Sequence, residues 1–512
     1  MSLKKRRGER DGAFFGSKPG RAIIDIGSNT VRMVVYGGSM RAPTVLLNEK
    51  VTAKLGQDIA KDGILAEEAM ERAMRGLERF VRLTQDLGVT DIETVATAAV
   101  REASNQDAFL AKLHAIGLTA RVLSGEEEAT LSAHGCAGAF PGARGLVADL
   151  GGGSLELVDL DDGAVSDPVT LPLGALRLPD FRDKAKGSDV KMRDVLSKAV
   201  RKGAGKRAPG SALYLVGGTW RAMAVYAMET EGHPLGDPHG FELSVKKARA
   251  IARNLSAESS ESLRARQRIS SMRAEILPDA AILLEALLEA LQPSGIVFSS
   301  WGLREGLLYD SLSPEARAQD PLLAGISTFA SGRGASPTLS ARIASWTIDA
   351  APSRRHGSER LRLAATMLSL ASMQIEPNIR LPQAINWALQ KRWIAIDGKS
   401  RAMLAAAISA NGNVLELDNR VRALACEDSL DEAINWGLSV RLARRLGANS
   451  RISLDMSRLL IEDGALVLRL ATSHAALATG PVDKDMKLLA GRLGLSPRVD
   501  IVADDALRAR SD

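Results

Sequence analysis

The chain has 512 residues, a net charge of +6, 45% hydrophobic and 4% aromatic residues. That length asks for three or four domains of ordinary size. It contains no apolar run near the roughly 20 residues that span a bilayer, and its basic start is not followed by a long apolar segment. A membrane protein and a secretory signal are therefore not expected, and a cytoplasmic location is. Sparse aromatic residues leave few base-stacking platforms, so the mildly basic balance suits inorganic phosphate as well as nucleic acid, and nucleic acid is not the expected partner.

In chain order, residues 1–19 read as a mobile basic tail. Residues 20–140 read as a first α/β unit, with strands at 22–26, 31–36 and 94–98 and a helix at 66–87 whose apolar positions recur every three or four residues. Residues 141–315 read as a second α/β unit. Its strand at 214–216 runs into Gly217-Gly218-Thr219, a helix follows at 274–291, then a strand at 295–300 and a helix at 303–312. From 316 to 445 the spacing of Ala, Leu and Arg predicts packed amphipathic helices, as at 359–373 and 400–410. The last part, 446–512, reads as a small α/β domain, with strand-like Arg451-Ile452-Ser453-Leu454 and 465–470 and a helix at 482–493. Cys136 and Cys426 lie far apart without metal-ligand neighbours and read as buried small hydrophobes in a reducing compartment.

Two segments repeat one another. Ile23-Ile24-Asp25-Ile26-Gly27-Ser28-Asn29-Thr30-Val31-Arg32 aligns with Val147-Ala148-Asp149-Leu150-Gly151-Gly152-Gly153-Ser154-Leu155-Glu156. Each is an apolar run closed by Asp-aliphatic-Gly, then small polar residues, then a second strand. Backbone N–H groups of such turns crowd around an anion, so Gly27, Ser28, Asn29 and Thr30, Gly151, Gly152, Gly153 and Ser154, and Gly217, Gly218 and Thr219 are three candidate phosphate cradles. Asp25 and Asp149 end their strands either as turn-forming residues or as Mg²⁺ ligands sharing the ion with phosphates. Glu156 stands where the first copy has Arg32, so the halves differ in charge. Three glutamates, Glu126 to Glu128, open a helix after Ser124-Gly125; acids there favour the helix dipole, and one could instead activate a water. Arg101, in Thr97-Ala98-Ala99-Val100-Arg101-Glu102, is placed either to hold a phosphate or to pair with Glu102.

Together with Gly302-Leu303-Arg304-Glu305-Gly306-Leu307, these motifs resemble the exopolyphosphatase and guanosine pentaphosphate phosphatase family of the actin-like ATPase superfamily, in the family's order over residues 21–312. The resemblance implies two actin-like ATPase (ribonuclease H-like) domains, then a helical HD-like domain and a small α/β C-terminal domain. It implies release of orthophosphate from the end of inorganic polyphosphate, with Glu128 as general base, Mg²⁺ at Asp149 and Glu156, a monovalent cation as a further candidate ion, Arg101 on phosphate, and a homodimer. Lys198 and Arg201, in a basic stretch from Lys184 to Arg207, are candidates for the polyphosphate track. Guanosine pentaphosphate is the alternative substrate, and a sensor that binds without hydrolysis the alternative role. One departure stands out: residues 363–373 carry no His or Asp, and Ser369-Leu370 occupies the place of a His-Asp metal pair.

Overall fold

A computed structural model describes residues 19–57, 59–205, 207 and 209–508. Residues 1–18 of the expected tail lie outside them, and Pro19 opens the first strand. The chain divides into two compact units, one of residues 1–233 and 237–319, the other of residues 234–236 and 320–512.

The first unit holds two sheets built to one plan. In the first, β1 (Pro19–Ile26), β2 (Thr30–Gly37) and β3 (Thr44–Thr52) form an antiparallel meander, and β4 (Ile92–Ala96) and β5 (Ala120–Val122) add in parallel, giving the order β3-β2-β1-β4-β5. In the second, β6 (Arg144–Leu150), β7 (Leu155–Asp161) and β8 (Ala164–Leu171) repeat the meander, and β9 (Ala212–Val216), β10 (Glu242–Ser244) and β11 (Gly295–Ser299) complete the order β8-β7-β6-β9-β11-β10. The duplication seen at two hairpins thus extends to whole sheets.

The near-continuous apolar run of β1 is that of a strand covered on both faces. Ala22, Ile24 and Ile26 pack with the helix Glu67–Asp86, whereas Ile23 faces Leu131, Leu307 and Leu308. Side chains alternate along a strand, so Asp25 shares the face of Ile23. By the same alternation Asp149 shares the face of Val147, which packs with Ala129, Ala133 and Cys136 of the helix Gly125–Ala139. That helix therefore touches both sheets and brings both aspartates toward its own start. It packs closely on the helix Leu303–Asp310: a Cβ at Gly306 would stand 1.7 Å from the Leu131 carbonyl oxygen.

In the second unit, helices from Pro321–Ser331 to Glu427–Gly447 surround one apolar core that also takes in Leu459, Leu466, Leu468 and Leu470. These belong to the sheet of β12 (Ser457–Glu462), β13 (Ala465–Ala471) and β14 (Ser496–Val502). The helices and this sheet share that core, in place of separate cores on either side of residue 446. Two readings are corrected. Arg451–Asp455 is a short helix rather than a strand, because the Ser450 hydroxyl caps the Ser453 N–H at 3.4 Å and turns the backbone. Cys136 is buried as expected, but Cys426 is exposed, since it stands just before the exposed acidic first turn, Glu427 and Asp428, of the helix Glu427–Gly447. Among the described residues, no helix is long and apolar enough to cross a membrane.

Candidate active site

The two repeated hairpins are alike at the level of single hydrogen bonds. Asp25 pairs across β1–β2 with Arg32, and Asp149 across β6–β7 with Glu156. The Gly27 N–H donates to the Thr30 carbonyl at 3.1 Å, and the Gly151 N–H to the Ser154 carbonyl at 3.0 Å. The turns face one another: a Cβ on Gly152 would lie 3.2 Å from Ser28 Cβ. They line a cleft of about 310 Å³ whose walls include Asp25, Glu128, Asp149, Gly217 and Gly218. Gly217 has φ +117°, and a Cβ there would stand 2.6 Å from the Leu150 carbonyl oxygen and 3.1 Å from Asp149 Oδ1. Only glycine lets the backbone come so near that carboxylate.

The three glutamates of the Ser-Gly-Glu-Glu-Glu motif are sorted by helix geometry. Glu126 is exposed. Glu127 closes a capping box with Ser124, its carboxylate accepting from the Ser124 N–H at 2.8 Å. Glu128, one residue further round, is buried and turned into the cleft, where its Oε2 accepts from Arg101 Nη1 at 3.0 Å. Burial pushes its carboxyl up to about 7, against the pull of Arg101, and the charges of Asp149 and Asp25 add to the rise.

Of the other carboxylates, Glu156 is buried and Asp25 and Asp149 are half-buried. Asp149 Oδ2 accepts from the Ser132 hydroxyl, and burial raises its pKa. Glu156 is 1% exposed and its Oε1 has no hydrogen-bond partner; burial first, then Glu128 and Asp149, hold its pKa well above the usual carboxylate range. Asp25 accepts from Arg304 Nη1 at 3.0 Å.

Sequence reasoning missed most of the cations. Arg32, Lys50, Arg221, Arg273 and Arg304 all line the cleft. Arg273, whose Nη1 donates to the Thr219 hydroxyl, is pushed down to about 10 by burial and then by Arg32. Arg32 Nε is buried with no acceptor. The Arg32–Glu156 mismatch between the two copies was the visible signal for one of them. Arg273 reaches the cleft only because the helix Ser271–Leu291 packs beside Gly218, which no local motif announces.

Among the named candidates, Asp25, Gly27 to Thr30, Glu128, Asp149, Gly151 to Ser154, Gly217 and Gly218 line the cleft, while Arg101, Glu156 and Thr219 stand behind that lining. Arg101 does not pair with Glu102, which accepts from Arg177 at 2.6 Å; its Nη1 is shared between Glu128 and the Leu123 carbonyl at 2.7 Å. Lys198 and Arg201 lie on the helix Asp189–Ala204 and are not part of the lining; Arg201 is held by Glu289 at 2.7 Å. Lys206 lies outside the described residues.

Two facing glycine turns beside the buried Glu128 are the setting for a comparison with known proteins. A model of the Ppx/GppA phosphatase family matches residues 33–315. The chain belongs to that family. Retrograde regulation protein 2 of Saccharomyces cerevisiae is 27% identical, over 59% of this chain and 57% of that protein, so the chain spans little more than half the length of this relative. The crystal structure of an Aquifex aeolicus Ppx/GppA family member is 27% identical and superposes with a TM-score of 0.50, covering 56% of this chain and 96% of that one. An exopolyphosphatase structure from Cytophaga hutchinsonii is 24% identical with a TM-score of 0.49, covering 57% of this chain and 98% of that one. The N-terminal part of this family member has the actin-like ATPase fold.

Proposed function

We propose that the chain hydrolyses the terminal phosphoanhydride bond of inorganic polyphosphate and releases orthophosphate. The observation that carries this reading is Glu128: one of three successive glutamates, it alone is buried at the cleft, with a pKa of about 7, beside two facing phosphate turns. A base is most effective when its pKa lies near the working pH. In this reading the turn N–H groups and the cations Arg32, Arg273 and Arg304 hold the terminal phosphates. Glu128 takes a proton from water as the water oxygen bonds to phosphorus. The bridging P–O bond breaks, and its electron pair stays on the shortened chain. Arg101 keeps the Glu128 carboxylate aimed.

Mg²⁺ fits the residues present: Glu156 Oε1 is a buried oxygen without a partner, and Asp149 lies close enough to raise the Glu156 pKa. Among the described residues there is no group of three or more His, Cys, Asp or Glu suited to a metal. The ion would therefore be shared between these two carboxylates, water and substrate phosphates. When bound it would neutralise charge on the phosphate oxygens.

A second reading rests on an adjoining chamber of about 380 Å³, which opens off the cleft at Ser28, Asn29, Gly152 and Gly153 and is lined in part by Ile59, Leu176, Pro179, Met272 and Ile276. Its apolar wall suits a nucleoside better than a phosphate chain, which favours guanosine pentaphosphate as an alternative substrate. The regulatory name of the yeast relative favours a third reading, a sensor without turnover. Orthophosphate release from polyphosphate and from guanosine pentaphosphate, with Mg²⁺, by wild type and Glu128→Ala, tests all three. Release from polyphosphate lost in the variant supports the first reading. Faster release from the nucleotide supports the second, and binding without release the third.

A further inference from the structure

The second unit carries five aromatic residues, Phe329, Trp346, Trp387, Trp393 and Trp436. Three of them meet. Phe329, on the helix Pro321–Ser331, packs edge-on against Trp387 with centroids 4.9 Å apart and against Trp393 at 5.4 Å. Two cations lie on this cluster. Arg333 Cζ stands 3.8 Å from the Phe329 centroid and 5.4 Å from that of Trp387, and Lys391 Nζ stands 4.7 Å from Trp393 and 5.4 Å from Phe329.

What is missing is a counter-charge. Some arginines of this unit meet carboxylates: Arg441 with Asp485 at 2.9 Å, Arg362 with Glu359 at 2.6 Å. Neither Arg333 nor Lys391 has an ion-pair partner among the described residues. Burial first, then Arg333, Arg392 and Arg401, push the Lys391 ammonium below the ordinary range. Arg401 spends its Nη1 on backbone carbonyls, among them that of Lys391 at 2.7 Å. A ring face steadies a cation but leaves its charge uncancelled. Arg333 also donates its Nη1 to the Phe329 carbonyl at 3.0 Å, at the end of its helix, but no carboxylate meets either cation on the rings.

We propose that Phe329, Trp387, Trp393, Arg333 and Lys391 form a nucleotide-binding site separate from the hydrolytic cleft. Lys391 and Arg333 take the phosphates, and the base stacks on half-buried Trp387 and on the Arg333 guanidinium that already lies over Phe329. A base and its phosphates are the chemistry that uses rings and uncompensated cations together. It is offered by a free nucleoside triphosphate and by a nucleotide within a single strand, and the inference does not depend on the substrate of the cleft.

The test is equilibrium binding to the full-length protein at low salt without Mg²⁺, using a fluorescent GTP analogue and a short fluorescent oligouridylate. Inorganic tripolyphosphate serves as competitor. Arg333 touches the Phe329 ring and carbonyl, so Arg333→Gln and Trp387→Leu are both checked by their thermal midpoints. The expected result is binding of at least one probe, weakened about tenfold by each variant and resisted by tripolyphosphate. Preference between the probes identifies the source of the nucleotide. The proposal is overturned if neither probe binds, if both variants bind as wild type does, or if tripolyphosphate displaces the GTP analogue as readily as GTP itself.

Discussion

Glu128 concentrates two opposing demands. Its carboxyl titrates at about 7, above the ordinary 4.5, because burial disfavours the charge. The folded state thus holds this proton more tightly than the unfolded chain does. Stability falls as the pH rises from about 4.5 to about 7, and above that range the buried charge costs on the order of 3 kcal/mol. Glu128→Gln removes the cost while its amide oxygen still accepts from Arg101. Differential scanning calorimetry without Mg²⁺ should find the variant more stable than wild type at pH 8, by about 1–2 kcal/mol, and no more stable at pH 4.5. A lower midpoint at pH 8 would refute the buried-charge assignment. The same group should give kcat/KM an acid limb, rising about tenfold per pH unit up to about pH 7 and then levelling. A limb unchanged in a Glu128→Asp enzyme that retains activity would point to another base. Arg273, depressed to about 10 beside Arg32, is placed to gain from an incoming anion. Arg273→Met should raise KM for polyphosphate about tenfold or more, read from initial rates against chain concentration; an unchanged KM would remove it from the substrate track.

At the scale of elements, the site depends on close packing between helices and sheets. The helix that carries Glu128 crosses the helix that carries Arg304, where a Cβ at Gly306 would stand 1.7 Å from the Leu131 carbonyl oxygen. Gly306→Ala must push the two apart, so it should lower stability by about 1–3 kcal/mol in urea unfolding and depress turnover with it; full stability and activity would show the crossing to be looser. These relations also show what the sequence could disclose. The hairpins were legible because Asp-aliphatic-Gly followed by small polar residues is strong punctuation, and it occurs twice. The edge strands β3 and β8 were not, because Thr-Val-Leu-Leu-Asn-Glu-Lys-Val-Thr and Ala-Val-Ser-Asp-Pro-Val-Thr-Leu do not alternate apolar with polar residues. Arg451-Ile452-Ser453-Leu454 alternates polar and apolar residues as a strand does, yet a serine cap decided the matter. That Glu128 rather than Glu126 or Glu127 enters the cleft follows from helical phase once the cap at Ser124 is known. Arg273 and Arg304 come to the cleft through tertiary packing, which spacing along the chain does not encode.

For the whole molecule, two compact units with their own apolar cores should unfold in separable steps. Leu404 is fully buried in the second unit. Leu404→Ala should shift one calorimetric transition by about 2–5 kcal/mol and leave the other in place; a single transition shifted as a whole would show the two cores to be one cooperative unit. The net charge of +6 suits a phosphate polyanion. The claim on which the rest turns is hydrolysis by Glu128. The direct measurement is orthophosphate released from long-chain polyphosphate with Mg²⁺ by wild type and Glu128→Ala under saturating substrate. Release by wild type, with kcat lower in the variant by roughly 10²–10⁴-fold and KM little changed, is the predicted result. Release at equal rates from both proteins, or tight polyphosphate binding with no release from either, would contradict it.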